Sequence, residues 1–355
     1  MTVSIVRADL ENVKTQVKAL LDQLGYKPKK EEIFLKPNVV APQPSETAVV
    51  THIAVMEALL EYFAGRKIVI GEGSSCAQDT MTALTVAGYV DLAQRYHVEL
   101  VDLGQVERQT VRWEYGNLKL PKLAFTHEYV NVPKMKTHVQ TMVSLGMKNQ
   151  KGLLANPTKK NFHIKHTLPE AIRALNEVVQ PDLTVMDGIL AIEGDGPGRA
   201  GRVKELGLLL AGQDVVEVDN AALQIMGFAL GEVPHIPPRE NVATVGLTLA
   251  EAKDPFLRAK DNYFNIGNAS LFSMRACSGC LEAFAFGFIK SGIFRWTERV
   301  DVVAGIEARI PAEHGHLACF GKCTKKLAET HKIVHIDGCP PQPEDVVKIL
   351  EAFGL

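Results

Sequence analysis

The sequence predicts an α/β protein of two domains, and three observations carry this prediction. Short β-branched runs alternate with longer amphipathic stretches from residue 1 to about residue 260. A second pattern of helices and strands begins near residue 268. The length of 355 residues also suits two domains, since one domain usually takes ~150 residues. These features favour a larger N-terminal domain over residues 1–265 and a smaller module over residues 266–355.

The larger domain is predicted to hold a parallel sheet with helices on both faces, because strands and helices alternate along it. Strands are expected at residues 2–6, 33–40, 67–70, 128–132 and 183–186. Helices are expected at residues 10–24 and 51–63, and Thr51 would cap the second. Ligands of such sheets bind at the carboxyl ends of the strands, so functional residues are expected in the loops that follow them.

The smaller module is predicted to be a compact αβαβα unit. Its helices are expected at residues 278–289, 324–330 and 344–353, and its strands at residues 299–304 and 332–336. Pro343 would start the last helix. A polar stretch, EAKDPFLRAKDN, marks the boundary between the two domains.

The balance of charge and the pattern of hydropathy exclude several classes of protein. Lys and Arg total 39 against 41 Asp and Glu, so the overall charge indicates neither a nucleic-acid partner nor an anionic membrane. No apolar stretch approaches the ~20 residues of a spanning helix, and the first residues do not resemble a secretory signal. We therefore expect a cytoplasmic protein. In that reducing compartment the six cysteines need an explanation other than disulfides.

Five of the six cysteines lie in the last 79 residues. Cys277 and Cys280 form a C-x-x-C at a predicted helix start, Cys323 lies at another helix start, and Cys339 follows a predicted strand. Helix N-termini favour the thiolate form that binds metal. Four thiolates suit either zinc or an iron–sulfur cluster, and one pair with two remote cysteines favours a 4Fe–4S cluster. Zinc and a set of buried, unligated cysteines are the alternatives.

The order C-S-G-C, G-K-C and G-C-P-P-Q-P-E resembles the cluster-binding half of the small subunit of nickel–iron hydrogenases. It is also similar to the equivalent subunit of NADH–quinone oxidoreductase. The resemblance covers about the last 85 residues and implies one 4Fe–4S cluster. Its ligands would be Cys277, Cys280, Cys323 and Cys339, with Cys319 as the alternative to Cys323. Cys76 stands alone and is interpreted as a buried residue.

A basic stretch follows the strand predicted at residues 128–132. From Lys134 to His166 it contains seven lysines, three histidines and no acidic residue. Phe162 is its only aromatic residue, so the stacking surface of a single-strand nucleic-acid binder is missing. A pocket for a carboxylate or phosphate is the favoured interpretation, and a solvated basic face is the alternative. Its candidate residues are Lys134, Lys136, His138, Lys148 and Lys151.

Other loops add polar residues at strand ends. A GxGxxG sequence begins at Gly196, but it does not directly follow a strand, so we reject it as a dinucleotide-binding loop. We interpret this segment as a flexible active-site loop with two carboxylates, and a simple turn is the alternative. The candidate catalytic residues of the domain are Lys134, Lys136, His138 and Asp187. The candidate substrate-binding residues are Lys36, Asn38, Glu72, Lys148, Lys151, Glu193 and Asp195.

Six motifs in order, LKPN, GEGS, NVPKMKTH, GMKNQKG, DGILAIEGDGPG and DVVEVD, resemble the domain of unknown function 362 family. The resemblance runs from about residue 33 to residue 225. It implies a fold and a site but no reaction, and its members often carry iron–sulfur modules.

These observations favour an iron–sulfur redox enzyme that acts on a small anionic substrate and exchanges electrons with a partner protein. One alternative is a non-redox lyase or isomerase, in which a lysine or histidine abstracts a proton and the cluster is structural or a Lewis acid. The other is an electron-transfer or cluster-carrier subunit without chemistry of its own.

Overall fold

The computed structural model describes residues 2–75, 78–159, 168–198, 201–259, 263–274, 276, 278–291 and 297–355. These residues form two compact units, which divide near residue 260. The first unit contains the basic stretch, and the second contains the cysteine-rich part of the chain. Among the described residues, no helix has both the length and the apolar character needed to cross a membrane.

The first unit alternates strands and helices. Its strands are β1 (Thr2–Arg7), β2 (Glu32–Pro37), β3 (Lys67–Glu72), β4 (Glu99–Asp102), β5 (Arg108–Trp113), β6 (Gly116–Pro121), β7 (Glu128–Val132), β8 (Lys134–His138), β9 (Met142–Ser144), β10 (Leu183–Gly194), β11 (Gly201–Gly212) and β12 (Ala243–Gly246). Its helices are α1 (Val13–Gln23), α2 (Ile53–Tyr62), α3 (Thr80–Val86), α4 (Tyr89–Tyr96), α5 (Leu123–Thr126), α6 (Gly146–Asn149), α7 (Leu168–Val178), α8 (Val215–Ile225) and α9 (Leu249–Ala252).

Ten strands of the first unit form one mainly parallel sheet, in the order β12-β1-β11-β10-β7-β2-β3-β4. The strands β8 and β9 extend from β10, and β5 and β6 form a separate hairpin. The predicted fold class is therefore confirmed. Two strands depart from a purely parallel sheet: β11 runs antiparallel to both β1 and β10, and β9 runs antiparallel to β8.

Helices cover both faces of this sheet. Neighbouring side chains on a strand point to opposite faces, so each buried strand packs against helices on two sides. In β11, Leu209 and Ala211 pack in the core with α1 and α2. Leu208 and Leu210 pack in a second core with α8. The continuous apolar run LGLLLAG is thus a strand buried on both sides.

The cap of α2 differs from the prediction. His52, not Thr51, is the N-cap, and its Nδ1 accepts a hydrogen bond from the Ala54 N–H at 3.1 Å. The Thr51 hydroxyl instead accepts from Asn38 N–H at 2.9 Å and donates to Val132 O at 2.7 Å. The prediction that Thr51 caps α2 is wrong. The Thr51 hydroxyl instead links Asn38, which follows β2, to Val132 at the end of β7.

The second unit contains a five-stranded sheet and three α-helices among its described residues. The strands are β13 (Tyr263–Ile266), β14 (Ala269–Ser273), β15 (Val300–Ala304), β16 (His316–Phe320) and β17 (Val334–Ile336), and the helices are α10 (Ser278–Lys290), α11 (Lys325–His331) and α12 (Val346–Phe353). Strands β14 to β17 are parallel, and β13 joins as an antiparallel edge. The predicted αβαβα pattern is present, and three further strands, β13, β14 and β16, complete the sheet.

Candidate active site and candidate cluster site

Lys36 and Glu72 form a buried ion pair in the first unit. They end the neighbouring parallel strands β2 and β3, so their side chains meet at the same edge of the sheet. Lys36 Nζ lies 2.9 Å from Glu72 Oε1, and the two side chains are 0% and 2% exposed. Glu72 also accepts hydrogen bonds from the Val39 and Gly73 N–H groups. The carboxylate is therefore held from three directions.

A second buried ion pair joins Lys134 and Asp187, which are register partners in β8 and β10. The ammonium lies 2.8 Å from Asp187 Oδ2, and both side chains are 0% exposed. The same oxygen accepts the His52 N–H at 2.9 Å. Burial lowers the pKa of Lys134, and the Asp187 carboxylate opposes this effect. These two candidate catalytic residues are thus held together as one buried ion pair.

Lys136 has polar but uncharged hydrogen-bond partners. Its ammonium donates to Asn38 Oδ1 and to Val49 O, each at 2.7 Å. Burial, followed by the charge of Lys134, lowers the pKa of Lys136 to about 7. This side chain can therefore bind or release a proton near neutral pH.

A chain of three asparagine side chains holds α6 against the strand ends. Asn38 Nδ2 donates to Asn149 Oδ1 at 3.1 Å, and Asn149 Nδ2 donates to Asn131 Oδ1 at 2.8 Å. Asn131 Nδ2 in turn donates to Gly146 O at 3.1 Å. Asn38 thus links the Lys136 ammonium to this row of hydrogen-bonded asparagines.

The segment after α6 approaches the first ion pair closely. A Cβ on Gly152 would overlap Glu72 Oε1 and would lie 2.6 Å from Lys36 Nζ. Nearby, the buried Lys159 ammonium donates to Gly73 O at 2.9 Å and to Ser74 O at 2.7 Å. The GEGS turn and the basic stretch are therefore packed together, although they are distant in sequence.

The remaining basic candidates lie around α6 and β8. Lys148 is half-buried, and its Nζ lies 3.4 Å from Ser144 Oγ. Burial and the charges of Lys151 and Lys136 hold the pKa of Lys148 well below its ordinary value. His138 is buried, and its Nδ1 accepts the Gln140 N–H at 3.0 Å. The structure thus groups several basic side chains around α6 and β8 of the first unit.

Glu193 and Asp195 differ in their surroundings. The buried Glu193 carboxylate accepts from Arg202 Nε at 2.7 Å and from Leu257 N–H at 3.1 Å, which ties β10 to β11 and to the segment near residue 257. Asp195 is half-buried in the glycine-rich loop. This loop contacts the end of β8, where Val139 N–H donates to Gly196 O at 3.1 Å. Residues 199–200 of the loop lie outside the described residues.

The cysteine loops of the second unit share one edge of its sheet. Cys280 lies in α10, which follows β14, Cys323 lies in the one-turn helix Lys322–Thr324 after β16, and Cys339 follows β17. A Cβ on Gly321 would lie 3.3 Å from Cys280 Sγ. The Lys322 N–H donates to Gly338 O at 2.8 Å. Because these strands are parallel, the three segments emerge on the same side of the sheet.

Pro340, which follows Cys339, also packs close to α10, since a Cβ on Gly279 would lie 2.7 Å from its Cγ. The candidate ligand Cys277 and the lone Cys76 lie outside the described residues. Within the described ranges, no three side chains of His, Cys, Asp or Glu are grouped so that they could hold a metal ion.

Cys319 has a different environment from Cys323. It lies inside β16, is 0% exposed, and packs with Val303, Leu317 and Ala328. Burial raises the pKa of the Cys319 thiol to about 11, which disfavours the thiolate. Cys323 is exposed in the one-turn helix that follows the strand. Of the two, only Cys323 therefore suits a metal ligand.

Residues 33–224 match the family model described as "Domain of unknown function (DUF362)". The chain belongs to this family. The DUF362 match contains every candidate catalytic and substrate-binding residue predicted in the first unit, and it ends before the cysteine-rich second unit. The chain is also 26% identical over 276 residues to the thylakoid-associated protein sll1697 of Synechocystis sp.. That similarity covers 73% of this chain and 85% of the cyanobacterial protein.

Asp219 and His235 are buried ionisable residues of this DUF362 protein that were not predicted as site residues. Asp219, in α8, is fully buried and accepts the Gly146 and Met147 N–H groups at 2.7 and 2.8 Å. Burial raises the pKa of Asp219 to about 7. The only sequence signal for Asp219 was the motif DVVEVD, which ends in this residue. Acidic residues at helical spacing are also typical of the solvated face of a helix, so the motif did not identify Asp219 as a site residue. His235 is fully buried near Lys148, and nothing in its local sequence distinguishes it from a loop residue.

Proposed function

We propose that this DUF362 protein is an iron–sulfur redox enzyme. In this proposal the second unit holds a 4Fe–4S cluster, and the first unit binds a small anionic substrate. The observation that carries it is the shared sheet edge from which the loops of Cys280, Cys323 and Cys339 emerge. The resemblance of these loops to those of the hydrogenase small subunit further supports a cluster.

Two features of the cysteine segments support such a group. Gly321 has a φ of 95°, a left-handed conformation that favours glycine, and its missing side chain leaves space beside Cys280 Sγ. Cys277 precedes Cys280 by three residues, as in other cluster-binding C-x-x-C sequences. The cluster would be held by Cys277, Cys280, Cys323 and Cys339. When bound, it would supply one-electron transfer, with a redox partner protein as the electron donor or acceptor.

The first unit supplies the proposed binding site for the anion. Lys136 and Lys151 lie close enough to Lys148 for their charges to lower its pKa. An ammonium in a partly dry pocket attracts an anion strongly, because water screens the charges poorly there. The ion pairs of Lys36 with Glu72 and of Lys134 with Asp187 would orient this site, since both are rigidly buried. No nucleic acid or membrane enters this proposal, and the proposed location is the cytoplasm.

One observation favours a second candidate function, a non-redox lyase or isomerase. Lys136 can exchange a proton near neutral pH and lies beside the positively charged Lys134. A neutral amine in this position would accept a proton from a carbon next to a carboxylate. In that case the cluster would serve as a structural element or a Lewis acid.

The proposal is tested by purifying the full chain without oxygen and measuring iron, sulfide and zinc. We expect about four iron and four sulfide per chain, and an EPR signal that appears on reduction. Cys323→Ala should lose or convert the cluster, whereas Cys319→Ala should keep it. A chain with one zinc and no iron would overturn the cluster. A protein that holds a complete cluster which dithionite cannot reduce would favour the lyase or isomerase.

A further inference from the structure

His235 is buried in the first unit without a hydrogen-bond partner. Its side chain is 0% exposed, and neither Nδ1 nor Nε2 has a partner among the described residues. Such a buried polar group is costly to folding, so in native proteins it commonly faces a ligand or an ordered water. His235 therefore marks a place where a bound group is expected.

Lys148 is the charged group that acts most directly on His235. Burial, with the charge of Lys148, lowers the pKa of His235 to about 3. The ring is thus neutral at physiological pH and has one N–H to donate. The Lys148 ammonium is itself repelled by Lys136 and Lys151. The neutral imidazole and the Lys148 side chain consequently lie close enough for the charge of Lys148 to act on the ring.

Two adjacent residues of α8 hold the segments that carry Lys148 and His235. Asp219 accepts the N–H groups of Gly146 and Met147, which precede Lys148 in α6. Asn220 donates from Nδ2 to Pro237 O at 2.9 Å and accepts Arg239 N–H at Oδ1 at 3.0 Å. The two segments are thus anchored to the same turn of one helix. Rigid support of this kind is what a binding site requires.

We propose that Lys148 and His235 bind the phosphoryl group of a phosphate or phosphate-monoester substrate. This inference rests on the anion site of the proposed function and names its substrate class. A phosphoryl group carries nearly two negative charges at neutral pH, whereas a carboxylate carries one. It therefore matches a lysine with two further lysines nearby better than a carboxylate does. Its oxygens can also accept from the ammonium and from the imidazole N–H at the same time.

The test measures binding of inorganic phosphate, acetate and succinate to the full chain by calorimetry. We expect the unaltered chain to bind phosphate more tightly than either carboxylate. Lys148→Met should weaken phosphate binding at least tenfold, and His235→Phe about threefold to tenfold. His235→Gln, which keeps an N–H donor, should retain most of the affinity. Lys119→Met, on an exposed lysine of β6, is the matched control and should leave phosphate binding unchanged.

Thermal melting without phosphate separates binding from folding. Lys148→Met and His235→Phe should melt at or above the temperature of the unaltered chain, since each removes a repelled charge or an unpartnered polar group. Equal phosphate affinity in His235→Phe and the unaltered chain would overturn the inference. Binding of acetate and succinate without phosphate would overturn the phosphoryl assignment and leave the anion site standing. Binding of no anion would overturn the anion site of the proposed function as well.

Discussion

Gly152 lies directly against Glu72, so close that any side chain at position 152 would overlap the Glu72 carboxylate. The two residues are 80 positions apart in the chain and belong to the basic stretch and to the GEGS turn. Their contact explains the second glycine in GMKNQKG, Gly152, in physical terms. The backbone must pass over the Lys36–Glu72 ion pair at a distance that leaves no room for a Cβ.

We predict that Gly152→Ala destabilises the protein by about 1–3 kcal/mol, because the added methyl group overpacks a buried ion pair. The free energy of unfolding can be measured by urea denaturation. Gly198→Ala is the matched control, since nothing lies within 4 Å of a Cβ at that position. Equal effects of the two substitutions would contradict the close approach.

The Lys134–Asp187 pair should show strong coupling. Lys134→Met leaves the Asp187 carboxylate buried without its partner and should cost about 3–5 kcal/mol. Adding Asp187→Asn should recover part of this loss, because the amide is uncharged and still offers an acceptor to the His52 N–H. A double-mutant cycle in urea measures the coupling free energy.

The control for this cycle is the exposed pair of Lys67 with Glu32, which joins neighbouring strands at 2.6 Å. Its coupling should not exceed about 1 kcal/mol, because water screens an exposed pair. If the two cycles gave similar coupling, burial would not be what makes the Lys134–Asp187 pair strong.

Asp219 should make stability depend on pH. Its carboxyl has a pKa of about 7 in the folded protein, against an ordinary value of 3.8. Between these values the folded chain keeps a proton that the unfolded chain has released, so the contribution of Asp219 to stability falls as the pH rises from 4 to 7. The slope is at most about 1.4 kcal/mol per pH unit.

Urea denaturation of Asp219→Asn and the unaltered chain across this range measures the effect. The stability of the unaltered chain relative to the variant should decrease steadily with pH. Asp214→Asn removes another carboxylate that accepts two backbone N–H groups, those of Val216 and Glu217 in α8, and it controls for the loss of such hydrogen bonds. A difference that stays constant from pH 4 to pH 7 would refute the raised pKa.

Gly321→Ala should disturb the cysteine site of the second unit. A residue with a side chain is strained at φ 95° and ψ 154°, at a cost of about 1–3 kcal/mol. The added Cβ would also lie 3.3 Å from Cys280 Sγ, so the iron content should fall in protein that remains folded. Gly354→Ala is the control, since it too has a positive φ, 72°, but no atom within 4 Å of the added Cβ. Unchanged iron content in Gly321→Ala would show that this glycine does not shape the site.

The sequence by itself determined the α/β class and the position of the candidate residues Lys36 and Glu72 near the ends of two parallel strands. Both follow from local pattern, because the spacing of apolar residues reveals which segments are strands and which are helices. The run LGLLLAG shows the limit of this information. It is apolar throughout, and local pattern does not reveal that it pairs in the antiparallel direction with β1 and β10.

Only the tertiary structure decided what each polar side chain meets. Lys134 and Asp187 are 53 residues apart, and strand pairing turns a lysine of a basic stretch into half of a buried ion pair. Cys319 and Cys323 are four residues apart, yet Cys319 is buried inside a strand and Cys323 is exposed in a one-turn helix. The binding role proposed for His235 depends on its burial close to Lys148, which its local sequence does not reveal. Burial and long-range pairing depend on how distant segments pack, and packing is a property of the whole fold that no local spacing encodes.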